Sequence, residues 1–237
     1  MCSSLSRRSA FGYPPLPPAA NKPIVCYVTD RKTLDSSEAG SGAVRNVAAR
    51  IIIAAAAGAD WVQVREKDLG AKELLALASQ AVAGATAKVI VNDRLDVALA
   101  AGAAGVHLGR ESAPVSEVVR WCRAGNAPAE FLIGISCHGL EDAREAEAAG
   151  ASYVFFGPVF DTPSKRAFGA PQGISRLAEI CRQVRIPVIA IGGVNEQNAI
   201  ECVRAGAAGI AAIRLFQEKA DAETLREIVM RLHDAGR

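Results

Sequence analysis

The sequence predicts a single (β/α)8 TIM barrel, and a recurring phrase is the main observation behind this fold class. An Ala-rich helical run, then Ala-Gly, then a short apolar strand occurs at 54–64, 98–108, 145–156 and 203–213. Helices that end directly in strands, again and again, are typical of repeated βα units. The length of 237 residues also suits an α/β barrel that folds as one domain.

Eight strand-like segments alternate with amphipathic ones, as a closed barrel requires. The predicted strands are 24–30, 61–67, 88–93, 105–109, 131–138, 153–160, 187–193 and 209–215. Helical spacing of Ala and Ile marks 140–150 and 195–206, and 222–236 supplies an eighth helix. The rival fold, an open doubly wound sheet, usually shows a GxGxxG turn after its first strand. Strand 1 ends in TDRK instead, so the barrel is favoured.

The chain divides into a leader, residues 1–23, and a barrel domain, residues 24–237. The leader carries five prolines and two adjacent arginines but no apolar stretch of the kind found in secretory signals. We therefore predict a flexible Pro-rich leader ahead of one catalytic domain.

Composition argues against several partner classes. The net charge of +2 is too small for a surface that binds nucleic acid, and no apolar run is long enough to span a membrane. Six cysteines and three histidines form no CxxC pair and no ligand cluster, so neither a zinc site nor a disulfide framework is expected. A reducing cytoplasm is the predicted location, and homo-oligomerisation stays open.

The second predicted strand, WVQVREK, has one polar face. Strand alternation puts Gln63, Arg65 and Lys67 on the same side. Because barrel strands are covered on both faces, these side chains are expected to point inward, with Lys67 nearest the carboxyl-terminal mouth where active sites lie. Two cations on one face indicate a large anion, and an ion-pair network with nearby carboxylates is the alternative.

Polar residues also end the third and fifth predicted strands. Asn92 and Asp93 follow strand 3, where Asp93 suits either Mg²⁺ or the cap of the next helix, with equal weight. Ser136 and His138 share one face of strand 5, and His138 is either an acid/base or a loop histidine. His107 offers no partner pattern, so we predict a structural role for it.

The segments after strands 6, 7 and 8 predict further anion contacts. A long loop after strand 6 offers the hydroxyls of Thr162 and Ser164 and the charge of Lys165. Gly192-Gly193 and Ile213-Arg214 lie at the ends of strands 7 and 8, and barrels frequently bind phosphate on the loops that follow these strands. The sequence thus predicts a monophosphate site there and a larger anion near Arg65, Lys67 and Lys165. Two phosphorylated groups that face each other across one mouth would suit a transferase.

Six motifs in order resemble the thiamine-phosphate synthase family and its sister, the thiazole tautomerases. They are QVREK, VNDRLDVALAAGAAGVHLG, GISCH, FFGPVFDTPSK, IPVIAIGGVNEQNA and AGAAGIAAI, between about Ile24 and Phe216. The resemblance implies condensation of hydroxymethylpyrimidine diphosphate with hydroxyethylthiazole phosphate, giving thiamine phosphate and diphosphate. In that family Mg²⁺ assists departure of the diphosphate, and the thiazole nitrogen captures the resulting pyrimidine-methyl cation.

The same resemblance implies a role for each matching residue. The pyrimidine diphosphate would contact Gln63, Arg65, Lys67, Asn92, Ser136 and Lys165. Asp93 would bind Mg²⁺, and the thiazole phosphate would contact Thr162, Ser164, Gly193, Ile213 and Arg214. The adjoining Val64, Glu66, Pro163 and Gly192 complete the predicted substrate contacts. The predicted catalytic residues are Arg65, Lys67, Ser136, His138 and Lys165.

Three departures from the family pattern keep alternatives open. Ser112 stands where synthases typically have a second metal-binding Asp, Asp161 replaces a Pro, and Arg214 replaces a small hydroxyl residue. A thiazole tautomerase, an isomerase that needs no metal and uses His138 as acid/base, is the second hypothesis. A barrel that binds thiazole or thiamine phosphate without turnover is the third.

Overall fold

The computed structural model describes residues 22–34, 41–162, 170–218 and 221–236. Eight parallel strands close into a barrel in simple chain order, and the last strand pairs with the first. The predicted (β/α)8 fold is therefore confirmed. The predicted leader lies almost wholly outside the described residues, which begin at Lys22.

The strands are short, as they are in most barrels of this type. They are β1 Ile24–Val28, β2 Trp61–Val64, β3 Lys88–Asn92, β4 Gly105–Leu108, β5 Leu132–Cys137, β6 Tyr153–Phe156, β7 Val188–Ile191 and β8 Gly209–Ala212.

Helices cover the outside of the barrel. They are α1 Ser41–Ala56, α2 Ala71–Gly84, α3 Leu95–Ala100, α4 Val115–Trp121, α5 Leu140–Ala149, α6 Gly173–Gln183, α7 Ala199–Arg204, α8 Arg214–Gln217 and α9 Ala222–Asp234. A 3-10 turn, Arg31–Thr33, follows β1. Within the described ranges, no helix combines the length and the apolar character that crossing a bilayer would need.

Most strands end before the residue that the sequence predicts, because their last polar residues belong to turns at the mouth. Here the mouth means the carboxyl-terminal end of the strands. β2 stops at Val64, so Lys67 lies in the following turn rather than on the strand. β8 stops at Ala212, and Arg214, predicted as strand, is the first residue of α8. The predicted strand bounds are therefore wrong at these two residues.

Large side chains fill the barrel interior where glycines leave room for them. An inner apolar cluster contains Trp61, Tyr153 and Phe155, separate from the outer cluster between strands and helices. A Cβ atom at Gly134 would collide with the ring of Tyr153. The rings of Trp61 and Tyr153 pack edge to face with centroids 4.8 Å apart. The interior is thus a packed core and not a pore.

A polar contact at the amino-terminal end of the barrel joins the start of the chain to its last helix. The Asp60 carboxylate, in the turn before β2, accepts hydrogen bonds from the Val25 backbone N–H at 2.9 Å and from His233 Nε2 at 2.8 Å. Lys22 Nζ lies 2.7 Å from the same carboxylate. One side chain therefore connects β1, β2 and α9.

We expect Asp60→Ala to lower the free energy of unfolding by about 2–3 kcal/mol, because the Val25 N–H would lose its partner inside the structure. Lys22→Ala is the matched control, since 55% of the Lys22 side chain is exposed, and it should change stability by less than about 1 kcal/mol. Urea unfolding of the two variants measures this, and equal effects would contradict the assigned role of Asp60.

Candidate active site

Gln63 and Asn92 form the polar centre of the mouth on the β2–β3 side. Gln63 is only 2% exposed, and its Nε2 donates to Asn92 Oδ1 at 2.9 Å. Its carbonyl oxygen, Oε1, is buried and has no hydrogen-bond partner among the described residues. A buried acceptor without a donor is costly, so this atom is suited to receive a donor from a bound molecule. The predicted inward orientation of Gln63 agrees with this placement.

A second polar group lies deeper and spans β4, β5 and β6. His107 is 2% exposed, and its Nδ1 lies 3.2 Å from the Tyr153 hydroxyl while its Nε2 lies 2.9 Å from Ser136 Oγ. The Phe155 ring packs on the imidazole with centroids 4.3 Å apart. Burial, and then the positive charge of Arg65, lower the pKa of His107 to about 3. His107 is therefore neutral at physiological pH, with one ring nitrogen donating and the other accepting.

The two predicted cations lie just beyond β2. Both residues follow the carboxyl end of β2 and therefore lie at the mouth. Arg65 is half-buried there, whereas Lys67 is exposed. The other two residues of this segment point elsewhere. Val64 belongs to the outer apolar cluster, and the Glu66 carboxylate, 2% exposed, binds Arg31. The side chains of Val64 and Glu66 therefore face away from the interior, which leaves only their backbone for the predicted substrate contact.

Asp93 lies in the turn between β3 and α3, and its side chain does not cap that helix. It is the one non-glycine residue of the described ranges with a positive φ, 67°, and its N–H donates to the His107 carbonyl at 2.8 Å. Helix α3 begins at Leu95 with Arg94 as its cap and no side-chain cap hydrogen bond, so the capping alternative is wrong. Within the described part of the chain, the exposed Asp93 carboxylate makes no hydrogen bond or ion pair.

The donor set near Asp93 suits a magnesium ion that shares its ligands with a phosphorylated substrate. No cluster of three or more His, Cys, Asp or Glu able to hold a metal occurs among the described residues. Ser112 Oγ accepts from the Gly109 N–H at 2.7 Å, so it stabilises the turn after β4. Mg²⁺ typically takes one or two carboxylates and fills its remaining positions with water and phosphate oxygens. One carboxylate, Asp93, fits that pattern.

The opposite side of the mouth is built from backbone. Gly192 and Gly193 have φ values of 92° and 67°, and a Cβ atom on either would collide with the segment after β6. Asn195 Oδ1 accepts from the backbone N–H groups of Gln197 and Asn198, just before α7. Ile213 precedes α8 and reaches the inner cluster.

The remaining predicted site residues are placed in different ways. Arg214 directs its guanidinium toward Glu218, with 3.8 Å between Nε and Oε1, so its backbone N–H is the group nearer the mouth. Thr162 is half-buried at the start of the loop after β6. Pro163, Ser164 and Lys165 lie outside the described residues. His138 is exposed at the end of β5, and its Nδ1 contacts the Gly157 carbonyl, which leaves Nε2 pointing away from that bond.

Comparisons with known proteins agree with this geometry. A family model described as thiamine monophosphate synthase matches residues 34–216. This chain belongs to the thiamine monophosphate synthase family. The family and the transferase class predicted from the sequence are thereby confirmed.

Individual relatives of the family match most of the chain. Thiamine-phosphate synthase from a Roseiflexus species is 40% identical over 203 residues, 84% of this chain and 80% of the relative. The enzyme of the same name from Methanoculleus marisnigri is 40% identical over 218 residues, 89% of this chain and 98% of the relative. The solved thiamine phosphate pyrophosphorylase from Pyrococcus furiosus superposes with a TM-score of 0.73 at 32% identity, covering 90% of this chain and 98% of that one.

His107 is the residue of this family member that sequence reasoning underestimated. A structural role with no partner was predicted, yet the imidazole directly contacts Ser136, a predicted catalytic residue. Its position two residues into β4 is the signal that was available, since Gly105 and His107 share the inward face. A polar residue on the inward face of a barrel strand is expected to reach another polar group.

We expect His107→Gln to change how stability depends on pH. Because the folded pKa of His107 is lowered, the unfolded chain takes up a proton below about pH 6.5 while the folded chain does not. Wild-type stability therefore falls by roughly 1 kcal/mol per pH unit between about pH 6 and 4 through this residue. Urea unfolding at pH 7.5, 5.5 and 4.5 should show the variant losing less stability than the wild type. A difference between the two that is the same at all three pH values would contradict a buried neutral His107.

Proposed function

We propose that this chain performs the thiamine-phosphate synthase reaction. It would join hydroxymethylpyrimidine diphosphate to hydroxyethylthiazole phosphate and release diphosphate. The observation that carries the proposal is the buried, unpartnered Oε1 of Gln63, held by Asn92 directly beside the half-buried Arg65. The pyrimidine brings an exocyclic amino group that can donate to this oxygen, together with a diphosphate that the neighbouring cations can bind.

Ser136 is supported in its role by the buried network beneath it. We assign the Tyr153 hydroxyl as donor to His107 Nδ1, because burial raises the pKa of Tyr153 and keeps its proton in place. His107 Nε2–H then donates to Ser136 Oγ, which directs the serine proton toward the mouth. Ser136 would thus donate to an oxygen of the departing diphosphate, and fixed donors of this kind stabilise charge that develops in the transition state.

The diphosphate would lie between Arg65, Lys67 and Asp93. Both cations favour the negative charge that accumulates on the leaving group, and they need no proton transfer to do so. Magnesium bound beside Asp93 would supply further positive charge to the same oxygens. The backbone of Asp93 is held by its hydrogen bond to the His107 carbonyl of β4, which places the start of this side chain at the mouth.

The thiazole phosphate would bind across the mouth, at Gly193, Ile213, Arg214 and Thr162. Gly192 and Gly193 pack directly against the segment after β6, where a side chain would collide, and their backbone N–H groups are the proposed phosphate donors. Two substrates held on opposite sides of one mouth bring the thiazole nitrogen toward the pyrimidine methylene carbon. Such alignment supplies much of the rate enhancement in a two-substrate reaction.

We also propose a cytoplasmic location and a magnesium requirement. The oligomeric state stays open. Each of the five cysteines in the described ranges carries a free thiol, which suits a reducing compartment.

The proposed reaction is tested by mixing the purified chain with both phosphorylated substrates, with and without Mg²⁺, and oxidising thiamine phosphate to its fluorescent thiochrome. Product should form only with Mg²⁺, and Lys67→Ala should lower the rate by about 100-fold. Lys88→Ala is the matched control, because Lys88 is an exposed lysine at the opposite end of the barrel, and it should leave the rate unchanged.

Absence of product at high enzyme concentration would contradict the synthase proposal. The same tubes then test for the isomerised thiazole. Its formation, with loss on His138→Ala, would assign the tautomerase reaction instead, whereas binding without any product would indicate a phosphate-binding barrel.

We expect Gln63→Met, which is nearly isosteric, to raise KM for the pyrimidine diphosphate by about tenfold because the amide acceptor is lost. The affinity for inorganic diphosphate, measured by calorimetry, should not change, since Arg65 and Lys67 are kept. If the variant loses diphosphate affinity as well, Gln63 acts on the cations rather than on the pyrimidine.

A further inference from the structure

Two turns lie at the mouth, residues 29–33 after β1 and residues 65–69 after β2. Hydrogen bonds donated by backbone N–H groups join them. The Arg65 N–H donates to Thr29 Oγ1 at 2.9 Å, and the Thr29 N–H donates to the Gln63 carbonyl at 3.0 Å. The second turn carries Lys67. Its shape is therefore tied to the turn that follows β1.

Arg31 makes the strongest of the contacts between these turns. Its backbone N–H donates to both carboxylate oxygens of Glu66, at 3.1 and 3.2 Å, and its Nη1 donates to Glu66 Oε2 at 3.0 Å. The same Nη1 donates to Asp68 Oδ1 at 2.6 Å. Only 16% of the Arg31 side chain is exposed. One guanidinium thus bridges two carboxylates.

Lys32 completes the charge balance of this group. Its Nζ lies 2.9 Å from Asp68 Oδ2, on the exposed side of the contact. Hydrogen bonds from Arg31 and then from Lys32 hold the pKa of Asp68 well below its usual range. Asp68 is therefore ionised, and the turn after β1 places a guanidinium against both carboxylates and an ammonium against Asp68.

The contact between Arg31 and the two carboxylates matters because of where these carboxylates lie in the chain. Glu66 and Asp68 are the immediate neighbours of Lys67. Without a counter-charge they would be the anions nearest to Lys67, and each would oppose the binding of a further anion beside it. The Arg31 contact turns Glu66 away from the mouth, into a position where it is 4% exposed.

We propose that Arg31 is a positioning residue for diphosphate binding: it holds the carboxylates on either side of Lys67 against the β1 turn, so that neither Glu66 nor Asp68 opposes the charge that Lys67 and Arg65 present to the leaving group. This inference rests on the proposed function, since it takes Lys67 to contact the diphosphate. Arg31 itself does not touch the substrate.

Calorimetric titration of the full chain with inorganic diphosphate tests the role of Arg31. Arg31→Gln should weaken Kd by about tenfold, since a carboxylate freed near the anion site opposes binding by roughly that factor. KM for the pyrimidine diphosphate should rise in parallel, while KM for the thiazole phosphate should stay within about twofold because screening limits the effect across the mouth. The double variant Arg31→Gln/Asp68→Asn should recover most of the lost affinity, because one of the freed charges is gone.

Controls separate this effect from general loss of charge or of structure. Lys88→Gln makes the same change in net charge at the far end of the barrel and should leave Kd unchanged. If Arg31→Gln does not fold, Lys32→Gln carries the test, because it removes only the exposed half of the contact, and Kd should weaken about threefold.

An unchanged Kd for diphosphate in a folded Arg31→Gln variant would overturn the positioning role. So would a loss of affinity that the added Asp68→Asn change does not recover. Where Lys32→Gln carries the test, an unchanged Kd in that variant has the same meaning. Failure of the proposed function gives a different pattern. In that case the wild type would not bind diphosphate, or Lys67→Ala would bind it as well as the wild type does.

Discussion

The fit of the Tyr153 ring into the space above Gly134 is the constraint on which the polar interior depends. Trp61 packs against one side of that ring, and no side chain at position 134 can share the space. The ring is thereby fixed, and so is its hydroxyl, which is the only polar atom at that depth able to meet His107 Nδ1 among the described contacts. His107 is then oriented with Nε2 toward Ser136. Packing at the bottom of the barrel thus sets the direction of a hydroxyl at its mouth.

Among the described residues, the carboxylates at the mouth fall into two sets, those paired with cations of the chain and one without such a partner. Glu66 and Asp68 are held by Arg31 and Lys32, while the Asp93 carboxylate makes no internal contact in the described residues. Under the proposed function, the carboxylates that would repel a diphosphate are paired with cations, and the one proposed to bind a metal stays available. Local pairing of this kind would let a chain with a net charge of only +2 bind a highly charged substrate.

Sequence periodicity predicted the fold and about half of the site geometry. The recurring helix–Ala-Gly–strand phrase marked four of the eight strands, strand-like segments between helical ones marked the rest, and alternation placed Gln63 and Ser136 on the inward face, where both lie. The predicted strand ends were wrong at Lys67 and Arg214, because the strands end before them and a turn or a helix then sets the direction of the side chain. A period-of-two rule has no meaning beyond the last paired residue.

Contacts between residues distant in the chain could not be predicted at all. Arg31 meets Glu66 across 35 residues, and His107 meets Ser136 across 29 and Tyr153 across 46. Neither pairing has a local pattern, since each depends on which strands become neighbours when the barrel closes. A cap and a metal ligand had equal weight at Asp93 because the sequence does not show where the next helix begins. In the structure, α3 begins at Leu95 without a cap from Asp93, whose backbone has φ 67°.

Barrel closure also explains why two phosphorylated substrates can be aligned with so few residues. The groups proposed for the pyrimidine diphosphate lie on β2 to β5, and those for the thiazole phosphate follow β6 to β8. In an open sheet these sets would lie at distant edges. In a closed barrel, β1 pairs with β8 and the two sets face each other across a space that the interior side chains fill from below. Under the proposed function, the reacting atoms would meet above that core, at the height of Ser136 and Gln63.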